Sequence, residues 1–230
     1  NFLLKILAIF FPRDLRLISL SDPTLYIGQF LFDFFIREDN DMLVLDCEGG
    51  ERAQALLKKL RLYKLHSDVT LELQDTIDVF VSFESLANGY QDSRHPQMGW
   101  RSYTKPDAEE MPFEGWDTQR IKLCVPDGSL DMVIEKSTLL ECRIDTLNGV
   151  DFKKGCYVGQ EVTARMHYRG LAKKHLYAIE FKDTPPQPYT DIMNSEGRII
   201  GEMRSSCGSY GIALLKDEAI TNDLPFSILQ

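Results

Sequence analysis

The sequence predicts an α+β protein in which a sheet-and-helix lobe of the ferredoxin-like kind is followed by further α+β structure and by a small C-terminal β-barrel. Three observations predict it. Between Gly28 and Phe83, strand-like apolar runs flank one segment of helical period. Residues 84–113 are rich in Pro, Gly and polar residues and read as a connection. After Gly170 the chain turns to short strands parted by Gly and Pro, the pattern of a small barrel.

Taken in order, NFLLKILAIFF at the start is apolar but interrupted by Lys5, and no small-residue cleavage site follows it. Such a run is too short to span a bilayer, so a buried helix is expected and no membrane partner. GQFLFDFFI and DMLVLDC predict two strands joined by the polar turn Glu38–Asp41. ERAQALLKKLRLYKL places Ala53, Leu56, Leu57, Leu60 and Tyr63 on one helical face. SDVTLEL and DTIDVFVSF alternate as a second strand pair, and a sheet with a helix on one side follows economically. GWDTQRIKLCV predicts a short helix stopped by Pro126–Asp127–Gly128, and Thr138–Glu141 a capping box opening a helix to about Leu147. QEVTARMHY predicts a helix with Gly159 at its start and Gly170 just past its end. KKHLYAIEF, DIMNSEGRIIGEMRSS and YGIALLK supply the barrel strands.

The 230 residues carry a formal charge of -9, with 43% apolar and 27% charged side chains. That is the composition of a folded globular protein, and the acidity argues against a nucleic-acid-coating surface. Five cysteines (47, 124, 142, 156 and 207) lie far apart without a CxxC pair or a histidine at zinc-ligand spacing. No disulfide scaffold and no metal site is expected, and a reducing compartment follows, the cytoplasm first and an organelle matrix as the alternative. No Walker loop, GxGxxG fingerprint or nucleophile elbow is present.

The segment KKGCYVGQEVTAR, Lys153–Arg165, stands out. From Lys153 to His175 it contributes six Lys or Arg and one acid, Glu161, a local +5 in an acidic chain. One reading is a solvated basic face; the other is a receptor for an anionic small molecule. Cys156 precedes the predicted helix N-terminus beside two lysines, a setting that lowers a thiol pKa, although a lone cysteine also serves as a small buried hydrophobe. Glu161 and Arg165 stand at i and i+4 in the favourable order. Asp33, a carboxylate inside FLFDFFI, faces solvent on an edge strand or points into a cavity toward a ligand's N–H groups.

KKGCYVGQEVTAR resembles the K-G-C-[FY]-x-G-Q-E-x-x-[AS]-R signature of the YgfZ-type folate-binding proteins, paralogues of the glycine-cleavage T-protein that take part in iron–sulfur cluster assembly or repair. Lys154, Gly155, Cys156, Tyr157, Gly159, Gln160, Glu161, Ala164 and Arg165 match its fixed positions. DSRHPQMGWR is similar to the family's D-P-R-x-x-x-L-G-x-R, and GRIIGEMRSS with YGIALLK to its barrel. The resemblance implies a three-part, cloverleaf-like T-protein fold with two ferredoxin-like α/β lobes. Residues 1–27 and 104–171 would form the central lobe carrying the motif, 28–103 a second lobe with its connecting loop, and 172–230 the barrel. It implies tetrahydrofolate as ligand, Cys156 as the functional cysteine, and Asp33, Glu141, Lys154, Tyr157, Gln160, Glu161 and Arg165 as folate-binding candidates. Iron–sulfur enzymes or cluster carriers are the implied partners. A tetrahydrofolate-dependent aminomethyltransferase is the alternative, although Phe32–Asp33 stands where T-proteins carry an acidic pair. The segment before Gly28 is short and matches the family poorly, so either the first strand is absent or residues are missing.

Overall fold

The computed structural model describes residues 16–21, 29–39, 42–64, 68–74, 76–152, 160–221 and 224–229, with backbone alone for 16–21 and 160–162. The expected helix at residues 1–11 lies outside them. Among the described residues no helix is long and apolar enough to cross a membrane.

Strands β1 (Arg16–Ser21), β2 (Phe30–Asp39) and β3 (Met42–Asp46) form an antiparallel sheet with β2 in the middle. β1 lies in the segment before Gly28, so a first strand is present there. Helix α1 (Gly50–Lys64) covers one face, where Phe34 and Ile36 pack on Leu56 and Leu60. This is the helical face that the apolar spacing marks out.

The second predicted strand pair divides differently. Residues 68–74 form no ladder among the described residues, although Val69 and Leu71 rest against the α1 cluster. β4 (Phe80–Ser82) pairs with β6 (Trp100–Ser102), which also takes β5 (Tyr90–Gln91), in a separate three-stranded sheet. The described part of this lobe is thus two small sheets meeting face to face, where the sequence predicted four strands in one. Alternation shows that a segment has two faces; it does not say which strand pairs with it.

DSRHPQMGWR makes that junction. Asp92 accepts from Arg94 Nε at 3.0 Å and Nη2 at 2.7 Å, both side chains being buried. The Arg94 and Arg101 guanidinium groups lie 4.8 and 4.3 Å from the Phe35 ring centroid on β2. Arg101 also donates to Asp46 on β3 at 2.7 Å. Gly99 sits at φ 78°, and any Cβ there would run into the Ser82 carbonyl, so neither the conformation nor the space admits another residue.

Helix α2 (Phe113–Lys122) ends in a Schellman closure, with Val125 N–H donating to the Arg120 carbonyl at 2.8 Å and Cys124 at φ 52°. Thr138 and Glu141 do meet as a capping box predicts, the Thr138 hydroxyl lying 2.9 Å from the Glu141 carboxylate. The helix to Leu147 does not form. Arg143 turns to φ 57°, Ile144 N–H closes on the Leu139 carbonyl at 2.9 Å, and the same closure recurs at Asn148 and Gly149. Leu139, Leu140, Cys142, Ile144 and Leu147 are all buried, so apolar residues surround more than one face and packing overrides the helical start signal.

Helix α3 (Gln160–Arg169) follows and stops at Gly170, φ 56°. β7 (Lys174–Phe181), β8 (Asp191–Met193), β9 (Ile199–Cys207), β10 (Tyr210–Lys216) and β11 (Phe226–Ile228) then form a curled antiparallel sheet in the order β11-β7-β10-β9-β8. Ile179, Met203, Ala213 and Leu215 fill its interior. Leu176 and Ile212 instead join a central core with Phe30, Phe35, Ile121, Val125 and Ile144.

Candidate functional site

From Phe30 to Ile36, β2 is apolar on both faces except at Asp33, which alternates onto the face of Phe35 and sets its carboxyl against the Pro126–Gly128 turn. Gly128 lies directly beneath it: a Cβ there would overlap the carboxylate. Arg52 of α1 reaches Asp33 at 3.5 Å and Glu48 at 3.3 Å, and its guanidinium lies 5.1 Å from the Phe32 ring centroid. Ser129 donates to Glu48, closing the rim.

The Asp33 side chain keeps 23% exposure. Burial raises its pKa, the charge of Asp127 raises it further, and Arg52 and Arg94 offset only part of this. The group is a carboxyl that gains from an N–H donor. Of the two sequence readings, a solvent-facing edge strand is excluded, since β2 is the middle strand.

Cys47 adjoins this cluster, and burial with the charges of Asp46 and Asp33 pushes its thiol up to about 11. Burial likewise lifts Cys124 and Cys142 to about 12. These three are protonated near neutrality and do not supply a thiolate.

Cys156, Lys154 and Tyr157 lie outside the described residues, as do the side chains of Gln160 and Glu161, whose backbone opens α3. The motif's flanks are described: Phe152 stacks on His167 of α3 at 3.8 Å between ring centroids. Arg165, Arg169, Lys173 and Lys174 are exposed, so these four cations form a solvated face. Among the described residues Lys174 alone of them is ion-paired, to Glu141 at 3.6 Å.

Glu141 is not part of the Asp33 cluster. It lines a cavity against the barrel together with Lys174, Arg204 and Tyr189. Sequence reasoning found Asp33 from its incongruity but missed Arg52, Arg94, Asp127 and Gly128. Only the Asp-x-Arg spacing of Asp92–Arg94 offered a signal for any of them. Among the described residues no group of three or more His, Cys, Asp or Glu could hold a metal ion.

Residues 173–228 match the family described as "CAF17, C-terminal beta-barrel domain". The chain is 29% identical over 229 residues to the iron–sulfur cluster assembly factor IBA57, mitochondrial, of Homo sapiens, covering 86% of this chain and 64% of the relative. It is 28% identical to the Mus musculus protein of that name, with the same coverage, and 30% identical over 184 residues to the Mycosarcoma maydis homolog, covering 69% and 45%. The chain thus spans just under two thirds of the length of the first two. With the barrel matched at one end and these relatives matched across most of the chain, the chain belongs to the YgfZ/IBA57 family.

Proposed function

We propose that this chain is a tetrahydrofolate-binding accessory protein for assembly or repair of the clusters of iron–sulfur enzymes, with Cys156 as its functional thiol. The observation that carries the reading is KGCYVGQEVTAR in a chain whose relatives are named iron–sulfur cluster assembly factors. The architecture that goes with it is the T-protein cloverleaf, divided into 1–27 with 104–171, 28–103 and 172–230, around a channel for the folate.

Asp33 suits such a ligand: a half-buried carboxyl held above its free pKa accepts from, or shares a proton with, pterin N–H groups. Lys154 and Arg165 would meet the anionic glutamate end, with Tyr157, Gln160 and Glu161 beside them. Glu141, from its place against the barrel, would serve a more distant part of the ligand. The cluster is cargo, and iron–sulfur enzymes or cluster carriers are the partners. The compartment in this reading is a reducing one, the cytosol or an organelle matrix such as the one the relatives' names give.

Titration of tetrahydrofolate by fluorescence tests the ligand. Saturable binding is expected, weakened about tenfold in Asp33→Asn by loss of a charged acceptor. A flat titration removes the folate from the proposal. Cys156→Ala should bind folate yet fail to restore an iron–sulfur enzyme in cells lacking the protein. Full rescue would remove the thiol's role. Formation of methylene-tetrahydrofolate from a loaded lipoyl carrier would instead favour the aminomethyltransferase.

A further inference from the structure

A cavity of about 310 Å³ opens between the turns of residues 131–142 and the barrel, and neither Asp33 nor Asp127 lines it. The carboxylates on its wall are engaged. Asp131 takes Arg120 Nη1 at 2.7 Å and the Ser205 hydroxyl at 2.6 Å. Glu141 takes the Thr138 hydroxyl at 2.9 Å and the Lys174 ammonium at 3.6 Å, and Glu202 takes Arg204 Nη1.

The cations on the wall are not all engaged. The Lys136 ammonium is exposed and has no hydrogen-bond or ion-pair partner among the described residues, and there Arg204, with its side chain 6% exposed, hydrogen-bonds only through Nη1. Its Nε is buried without an acceptor, a condition native interiors seldom leave unanswered. Tyr189 covers the guanidinium at 5.3 Å from its ring centroid. Its backbone sits at φ 63°, a region that bulky side chains enter only when held there. The hold comes from its N–H on the Met203 carbonyl at 2.8 Å and its hydroxyl on the Leu130 carbonyl at 3.3 Å.

What the wall has left to offer is therefore a guanidinium edge and an ammonium, beside the apolar surfaces of Val133, Leu176 and Leu214. We propose that this cavity binds a small organic carboxylate, seated on the Nε–Nη2 edge of Arg204 and on Lys136, with its hydrocarbon part on the apolar wall. The guanidinium edge turns into the cavity on binding, since Nε is closed off without a ligand. A bidentate fork suits carboxylate and phosphate alike, but the apolar wall gives inorganic phosphate nothing to contact. The cavity shares Glu141 with the folate reading but not Asp33, and the proposed contacts, Arg204 and Lys136, have no part in that reading. A free acid and the glutamate end of a folate share the chemistry, and the test separates them.

Glutarate is the probe, with inorganic phosphate and chloride at matched ionic strength as controls, read by thermal shift and isothermal titration on the whole chain. Glutarate should raise the Tm saturably. Lys136→Ala, an exposed change that leaves the core intact, should weaken binding about tenfold, and Arg204→Lys, which keeps the charge but loses the fork, by at least as much. Asp33→Asn should leave glutarate binding unchanged, so failure of the folate reading leaves this test standing. Displacement of glutarate by tetrahydrofolate assigns the carboxylate to the folate tail, and independent binding assigns it to a free acid. The proposal is overturned if glutarate does no more than phosphate or chloride, or if both substituted proteins bind it as the wild type does.

Discussion

At Asp33 a carboxyl sits in the middle of an aromatic strand, with Arg52 at 3.5 Å and the charge of Asp127 close by. Its folded-state pKa is raised above 3.8, so the protonated form favours the fold. The stabilisation it gives is present below its unfolded pKa and is lost as pH rises through the folded value. Asp33→Asn should therefore raise the Tm at pH 7 by a few degrees, a chain of this size moving about 2–4 °C per kcal/mol. The gain should shrink as the pH is lowered toward the free carboxyl value. Thermal melts of both proteins across that range check it, and a gain that grows toward acid would contradict the burial argument. A residue that costs stability at neutral pH is the kind a binding site keeps. The sequence exposed Asp33 because one charge interrupts six apolar neighbours. It could not expose Arg52, Arg94, Asp127 or Gly128, which come from three separate stretches and meet only in space.

Among the elements, α1 was legible from its apolar spacing, α2 from the Pro126–Gly128 stop after it, and α3 from the glycines that bound it. The β2–β3 hairpin was legible from two strand-like apolar runs and the polar turn between them. The turns after Thr138 were not, because the capping box announces a start while the stop at Arg143 carries no glycine to announce it. The contact that fixes α2 was equally hidden. Arg120, wholly buried, donates to Asp131 at 2.7 Å, to Asp117 at 2.6 Å and to Ser205 of β9 at 3.0 Å, while Asp131 also accepts from the Asp127 and Ser205 N–H groups. One side chain thus joins the helix, the Asp127 turn beside Asp33, and the barrel. Removing one member strands a buried charge, so Arg120→Met should cost about 3–5 kcal/mol in urea unfolding. Replacing Arg120 and Asp131 together by apolar residues should cost less than Arg120→Met alone. A larger loss in the double variant would mean that the network matters through more than charge compensation.

At the scale of the whole molecule, the barrel has an interior of its own, yet its outer face is not independent. Leu176 and Ile212 belong to the core that also holds Phe30 and Phe35 of β2, Ile121 and Val125 beside α2, and Ile144 of the turn segment. Arg143 adds a polar tie at the same seam, its Nε donating to the Leu176 carbonyl at 2.6 Å. A family match confined to residues 173–228 would suggest a separable module, but a core that crosses the seam predicts cooperative loss of both sides. The two tryptophans, Trp100 on β6 and Trp116 on α2, both lie outside the barrel, so their fluorescence reports the other side. The urea transition seen by tryptophan should coincide with that seen by hydrogen exchange at the β9 and β10 amides. Arg120→Met should move both midpoints together. If the barrel amides stay protected after the tryptophan signal is lost, the seam does not couple the two parts. The cavity between them would then lose its rigid wall before the barrel unfolds, and glutarate binding should vanish at the first transition.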